Sequence, residues 1–200
     1  MLRRVLFAAL VLGVSSIAVG DIIIPIPPEP WPPGCIGPGQ RVVITERTWF
    51  GNGQHIHVCG GILECTAPRL DMDDATITIT SGNIDFITDY KVCDSEGPSV
   101  LEVLGGVFEM QDVENRMATR GGHILMGAGV LRLKNWVPGD PLRDMVMWLE
   151  DGLFQTAPGF EGCSALIEVA ADGYQQAFIP EPATMMLLGL GGLLVCRRRR

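Results

Sequence analysis

Three carboxylates and two histidines have the types and spacing that could do chemistry. Glu64, Asp85 and Glu109 follow one another at intervals of 21 and 24 residues, and His55 and His57 alternate along one segment. If the chain repeats with that period, the carboxylates stack on neighbouring strands about 5 Å apart, so that one should bind a proton or share a cation. These five residues are the candidate ligands for a metal ion.

The case for a metal remains weak on this spacing. Zinc needs three or four ligands converging within about 2.3 Å, whereas strand residues two apart project in parallel about 7 Å from each other. The alternative for His55 and His57 is an exposed polar strand face. Calcium is the other possible ion, but the acidic segment Asp71, Asp73 and Asp74 lacks the glycine and closing glutamate of an EF-hand loop.

We predict no catalytic residues. The chain has no nucleotide-binding loop, no Gly-x-Ser-x-Gly elbow and no acyl-transfer triad. The outward strand positions near the acids are Thr76, Thr78, Val100, Leu125 and Val146, which offer no base and no arginine clamp. We therefore expect a protein that is not an enzyme. The alternative is a glycan-binding or glycan-cleaving protein, in which carboxylates of adjacent units would meet aromatic rings in a cleft.

A repeat with a glycine in each unit positions these residues. The glycines are Gly61, Gly82, Gly106, Gly129, Gly152 and Gly173, and they are 21 to 24 residues apart. Positions −5, −3, +2 and +4 from the first five glycines are apolar, with one exception, Thr156. This pattern therefore predicts that each unit contains two short strands around a glycine corner, followed by a polar segment of about ten residues.

Two all-β architectures fit this repeat. The favoured one is a right-handed parallel β-solenoid of about five to six coils with a period near 23 residues. The alternative is an array of antiparallel β-hairpins, as a sandwich or barrel, in which the glycine pairs form two-residue turns. In both, Val103 and Phe108 should be among the most buried side chains, and Phe108→Ala should cost about 3–5 kcal/mol.

The first twenty residues have the pattern of a secretory signal peptide. Arg3 and Arg4 precede an apolar stretch, and small residues lead to a plausible cleavage site between Gly20 and Asp21. Residues 21–39 are rich in proline and should form a stiff, extended linker before a β-repeat domain at residues 40–178.

The C-terminus carries a second export feature. Pro180, Glu181 and Pro182 precede an uncharged apolar run, residues 183–196, which predicts a short transmembrane helix, and the chain ends with Arg197, Arg198, Arg199 and Arg200. The arginines should stay on the cytoplasmic side, which leaves the rest of the chain outside. The run is shorter than the roughly 20 residues that span a bilayer, as in a transient segment. A permanent tail anchor is the alternative.

The order of these three parts resembles the PEP-CTERM sorting signal of Gram-negative bacteria. The resemblance covers residues 179–200, roughly a tenth of the chain. It implies recognition by an exosortase, a membrane cysteine protease-transpeptidase, in the inner membrane. It also implies a location at the cell surface or outside the cell, and a possible association with extracellular polysaccharide.

Charge and cysteine content agree with export. Without both signals the chain keeps nine basic residues against twenty-three acidic ones, a net charge near −14, which makes nucleic acid an unfavourable partner. Five cysteines remain, an odd number, and a bridge between Cys35 and Cys59 would tie the linker to the first unit. We expect a structural or adhesive protein of the surface or extracellular matrix.

Overall fold

The protein is almost entirely β-structure in a computed structural model that describes residues 21–24, 34–92 and 98–180. Its strands are β1 (Asp21–Ile24), β2 (Arg41–Ile44), β3 (Thr48–Phe50), β4 (His55–Cys65), β5 (Arg69–Met72), β6 (Thr76–Val92), β7 (Val100–Val103), β8 (Val107–Asn115), β9 (His123–Met126), β10 (Val130–Leu133), β11 (Phe154–Thr156), β12 (Leu166–Val169) and β13 (Gln175–Phe178). Two short helices interrupt them, α1 (Met117–Arg120) and α2 (Met145–Glu150).

The strands stack in parallel to form a β-solenoid with three faces. Face A consists of β1, β2, the second half of β4, the middle of β6, the first half of β8 and β10. Face B contains the first halves of β4 and β6, then β7, β9 and β11. Face C contains β3, β5 and the last parts of β6 and β8. Parallel pairing between successive units excludes the hairpin array.

The predicted columns are in register in the first four units. Ile77 lies opposite Ile56 on one side and Leu101 on the other, and Phe108 lies opposite Ile84 and Leu131. Val103 and Phe108 are fully buried, as predicted. The aligned glycines therefore lie at the corners between face B and face A, where the backbones of successive coils are in close contact.

The solenoid has about four turns, so the prediction of five to six coils was wrong. Near Gly152, Leu149 belongs to α2 and is exposed, and β11 pairs with β9 on face B instead of β10 on face A. At Gly173 the chain forms a hairpin, in which β13 is antiparallel to β10 and β12 is antiparallel to β13. Gln175 and Glu168 stand where apolar residues would be needed to continue the inward columns, and the parallel stack ends there.

The coils that contain β2, β4, β6 and β8 also have a third strand, on face C, within the segment predicted to be polar. Its inward side chains are large, among them Phe50, Leu70 and Tyr90. Tyr90 packs edge-on against Phe86 at 4.8 Å between ring centroids, and Phe86 packs in the same way against Phe108 at 5.3 Å. The core is thus closed on three sides by side chains from all three faces.

A disulfide fixes the segment just before β2 to the solenoid. Cys35 is bonded to Cys59, and Ile36 forms a parallel bridge with Val58, so the predicted link is confirmed. Cys65 is a free thiol in the core, where burial raises its pKa to about 11. Among the described residues, none of the helices has the length and apolar character needed to cross a membrane. The helix predicted from residues 183–196 lies outside them.

Candidate functional site

The three predicted carboxylates form one row on the outer surface of face A. Glu64 on β4 lies opposite Asp85 on β6, and Asp85 lies opposite Glu109 on β8. Strand stacking therefore places three acidic groups at successive steps of about 4.8 Å. We call these three residues the carboxylate row.

Arginines bind the two ends of the row. Arg41 of β2 contacts Glu64 at 2.7 Å, and Arg132 of β10 contacts Glu109 at 2.8 Å. Arg132 also binds Asp172 in the turn between β12 and β13. The ion pairs of Glu64 and Glu109 join neighbouring strands, so the two outer carboxylates are engaged within the sheet.

The central carboxylate, Asp85, is in a different situation. Its Oδ1 atom is buried and has no hydrogen-bond partner in the part of the chain that the structure describes. Burial raises the pKa of Asp85 above its usual value, and the nearby charges of Glu109 and Glu64 raise it further, while Lys134 opposes them. The row therefore favours a proton on its middle member.

Tyr174 completes this region and was not identified from the sequence. Its hydroxyl donates to Oε1 of Glu109 at 2.9 Å, and the guanidinium of Arg132 lies 4.2 Å from the centre of its ring. Burial, followed by the hydrogen bond to Glu109, raises the pKa of Tyr174. No local signal could have placed Tyr174 here, because it is 65 residues from Glu109 and belongs to the unit whose repeat pattern is lost.

An open depression lies on face A beside Asp85 and Glu109, two members of the row. It has a volume of about 270 Å³, and its lining includes Asn83, Asp85, Val107, Glu109 and Arg132. Its polar groups are thus the amide of Asn83, the carboxyl group of Asp85 and the carboxylate–arginine pair of Glu109 and Arg132. Such a surface can accept hydrogen bonds from hydroxyl or amino groups of a ligand.

The histidines lie on face B, away from the carboxylate row. The rings of His55 and His57 are nearly parallel, with centroids 6.3 Å apart. Nε2 of His55 is 2.8 Å from the hydroxyl of Thr78, and Nε2 of His57 is 3.1 Å from that of Thr80. No group of three or more His, Cys, Asp or Glu side chains in the described ranges could hold a metal ion. The structure therefore does not bring the five candidate ligands together, and a metal site stays a prediction.

The acidic segment after β5 is also engaged internally. Asp71 binds Arg69 at 2.7 Å and Arg47 at 3.3 Å, and Asp73 is buried. Asp74 has a positive φ of 49°, as in a tight turn. The three acids do not present a common open surface for a cation.

The export signals lie almost entirely outside the described residues, which include Asp21 and Pro180 but neither Gly20 nor Glu181, Pro182 and the terminal arginines. Comparisons of the chain with curated proteins and with solved structures found no match. A comparison with protein families found one at residues 178–200, to the family described as the PEP-CTERM protein-sorting motif. The chain therefore carries a PEP-CTERM sorting motif as its C-terminal tail, in agreement with the resemblance noted in its sequence.

Proposed function

We propose that this protein is an exported scaffold, sorted by an exosortase and placed at the cell surface or in the extracellular matrix, without catalysis of its own. The observation that supports the scaffold role is that its charged side chains pair with one another across neighbouring strands. The ion pairs Arg41–Glu64, Arg132–Glu109 and Lys91–Glu114 all connect adjacent strands of the stack. The charges thus reinforce contacts between coils.

The same contacts argue against glycoside hydrolysis, the reaction that a row of acids would suggest. That reaction requires two carboxylates, one to donate a proton and one to act as base or nucleophile. Both oxygens of Glu109 accept hydrogen bonds, from Arg132 and Tyr174, and Glu64 is held by Arg41. Asp85 is left as the one carboxylate of the row that could react.

Export and sorting are tested in the native host by replacing Pro180, Glu181 and Pro182 with alanines. We expect the wild type to lose its tail near Glu181 and leave the inner membrane, and the variant to keep Arg200 and stay there. The chain has a matched control, because Pro28, Glu29 and Pro30 repeat the same tripeptide without the apolar run and arginines. Alanines at the control site should leave sorting unchanged. Intact masses that retain Arg200 in all three proteins would contradict the proposal.

The absence of catalysis is tested with Asp85→Asn in a host that lacks the wild-type gene. A scaffold should restore the surface or matrix properties of the host as fully as the wild type does, because the substitution keeps the shape of the side chain. An enzyme that depends on the row should fail to restore them at the same exported amount. Loss of function by a folded, correctly sorted Asp85→Asn protein would therefore refute the scaffold proposal.

A second candidate function is the binding of a glycan, including extracellular polysaccharide. It is favoured by the open depression on face A, whose lining includes Asp85 and Glu109, and by the ring of Tyr174, whose hydroxyl donates to Glu109. Co-sedimentation with polysaccharide from the host should then retain the wild type and release Asp85→Asn. No retention of the wild type would exclude this candidate.

A further inference from the structure

The sorting motif begins inside the folded body. The PEP-CTERM motif covers residues 178–200, and its first residue, Phe178, is also the last residue of β13. Its second residue, Ile179, is only 4% exposed and belongs to the hydrophobic core of the solenoid. An exosortase that reads this motif therefore meets residues that the body already holds.

β13 has a neighbouring strand on each side. Phe178 lies opposite Val130 of β10 and opposite Leu166 of β12. A strand can pair with another chain, or enter an enzyme cleft that binds its substrate as an extended strand, only through an open edge. Because both edges of β13 are occupied, the backbone before Pro180 is not accessible while the end of β13 stays in the sheet.

Ile179 is buried beside a small cavity at the end of the stack. The cavity has a volume of about 100 Å³, and its apolar lining includes Ile179, Met126, Leu149 and Phe154. Met126 ends β9, Phe154 begins β11 and Leu149 lies on α2, so three elements surround the residue that precedes Pro180. Withdrawing Ile179 would expose its side chain and enlarge the cavity, and both changes cost free energy. We call the packing of Ile179 together with the pairing of Phe178 the motif contact.

We propose that the motif contact is autoinhibitory: it masks the start of the sorting motif, and the exosortase processes the tail only when the last residues of β13 detach. The inference rests on the proposed sorting by an exosortase, and it adds the element that sets the rate of that step. When opening and closing are fast relative to cleavage, a folded protein is cleaved in proportion to the fraction of molecules that are open. Weakening the motif contact should therefore accelerate removal of the tail.

The opening is local. The last residues of β13 are held by β10, β12 and the lining of the cavity, all at one end of the stack. In a solenoid each coil contacts only its neighbours, so one end can open while the inner coils stay folded. The end of the body can thus release the motif without global unfolding.

The proposal is tested by the lifetime, in the native host, of the exported precursor that has lost residues 1–20 and keeps Arg200. The test variant has Gly-Ser-Gly-Ser-Phe-Ile inserted between Ile179 and Pro180. The original Phe178 and Ile179 then stay in the body, while a second Phe-Ile precedes Pro180 and keeps the motif continuous outside the fold. This precursor should be processed at least about tenfold faster, since an open state populated at about 10% or less limits the wild type.

A substitution in the lining of the cavity tests the motif contact without changing the motif. Leu149→Ala removes apolar surface from the lining and should shorten the lifetime of the precursor by about threefold or more. The same substitution should have no effect in the insertion variant. Val146→Ala is the matched control, because Val146 lies on the same helix with a similar exposure, 42% against 39%, and does not line the cavity. It should leave the lifetime unchanged.

The outcomes separate this inference from sorting itself. If the wild type and the insertion variant lose their tails at the same rate, sorting stands and the motif contact is not autoinhibitory, as when the exosortase binds only residues from Pro180 onward. If both proteins keep Arg200, sorting by an exosortase fails and this inference fails with it. Acceleration by Leu149→Ala that persists in the insertion variant would also overturn the inference, since the substitution would then act elsewhere.

Discussion

Removing the charge of Asp85 and removing that of Glu109 should change the free energy of unfolding in opposite directions. The pKa of Asp85 is raised, chiefly by burial, so the folded protein holds this proton more tightly than the unfolded chain does. The stability this gives is complete below the unfolded pKa, near 3.8, and is lost as pH rises through the raised value. Asp85→Asn should therefore increase the free energy of unfolding at pH 7 by up to about 1 kcal/mol, since solvent screens the row, with little effect below pH 3.8. Urea unfolding as a function of pH measures this.

Glu109→Gln provides the contrast on the neighbouring strand. It weakens the hydrogen bonds from Arg132 and Tyr174, and should lower the free energy of unfolding by about 1 kcal/mol or more at pH 7. Glu46→Gln, an exposed site outside the row, should change it by less than about 0.5 kcal/mol. If Asp85→Asn lowered the free energy of unfolding as Glu109→Gln does, the row would not disfavour the ionised form of Asp85.

Sequence spacing alone could predict the carboxylate row but not its partners. The three acids occupy the same position of successive units, and a repeating backbone converts equal position into spatial neighbourhood. Tyr174 and Asp172 reach the row because the chain reverses direction at Gly173. The repeat pattern does not predict this reversal. His55 and His57 share their strand with Glu64, but the corner at Gly61 turns them onto another face.

The glycine corners between face B and face A should tolerate no side chain. Gly82 has a φ of 88°, and a Cβ atom there would lie 2.2 Å from the carbonyl oxygen of Gly61 in the coil below. The next corner repeats the arrangement, with 2.4 Å between a Cβ on Gly106 and the carbonyl oxygen of Gly82. Gly82→Ala combines backbone strain with a clash against main chain, and should cost at least about 3 kcal/mol in urea unfolding.

Gly139→Ala separates the two contributions to that cost. Gly139 has a similar φ of 77°, but no atom lies within 4 Å of a Cβ built there. Its substitution should cost only the backbone strain, about 1–2 kcal/mol. Equal losses for Gly82→Ala and Gly139→Ala would mean that close stacking of the corners contributes nothing to the requirement for glycine.

The sequence could predict the strands of faces A and B because their apolar residues alternate and recur at a fixed distance from a glycine. The strands of face C were not predicted because they are short and each begins at a different distance from the preceding glycine corner. The last two units were misassigned for a related reason. Residues 145–149 are apolar, but Asp144 accepts from the N–H of Val146 and starts a helix, so the inward spacing of a strand is lost.

A solenoid is a line of coils in which each coil contacts only its neighbours, so the position of a destabilising substitution should determine how far the loss of stability spreads. Phe108 and Phe50 are both fully buried, the first in an inner coil and the second in β3, at the end of face C. Removing either ring should cost about 3–5 kcal/mol where it occurs. Phe108→Ala should accelerate amide hydrogen exchange in β4, β6 and β8 together. Phe50→Ala should do so mainly in β2 and β3, because the inner coils keep all their contacts.

Reduction of the Cys35–Cys59 disulfide should loosen the same end of the stack, because the bridge between Ile36 and Val58 lies next to the disulfide. Reduction should add to the local effect of Phe50→Ala without changing exchange in β8 or β10. If Phe50→Ala accelerated exchange equally in every strand, the coils would unfold as one cooperative unit. The stability of the molecule would then depend on its two ends as strongly as on its centre, and a scaffold of this kind could not fray at one end while the rest stayed folded.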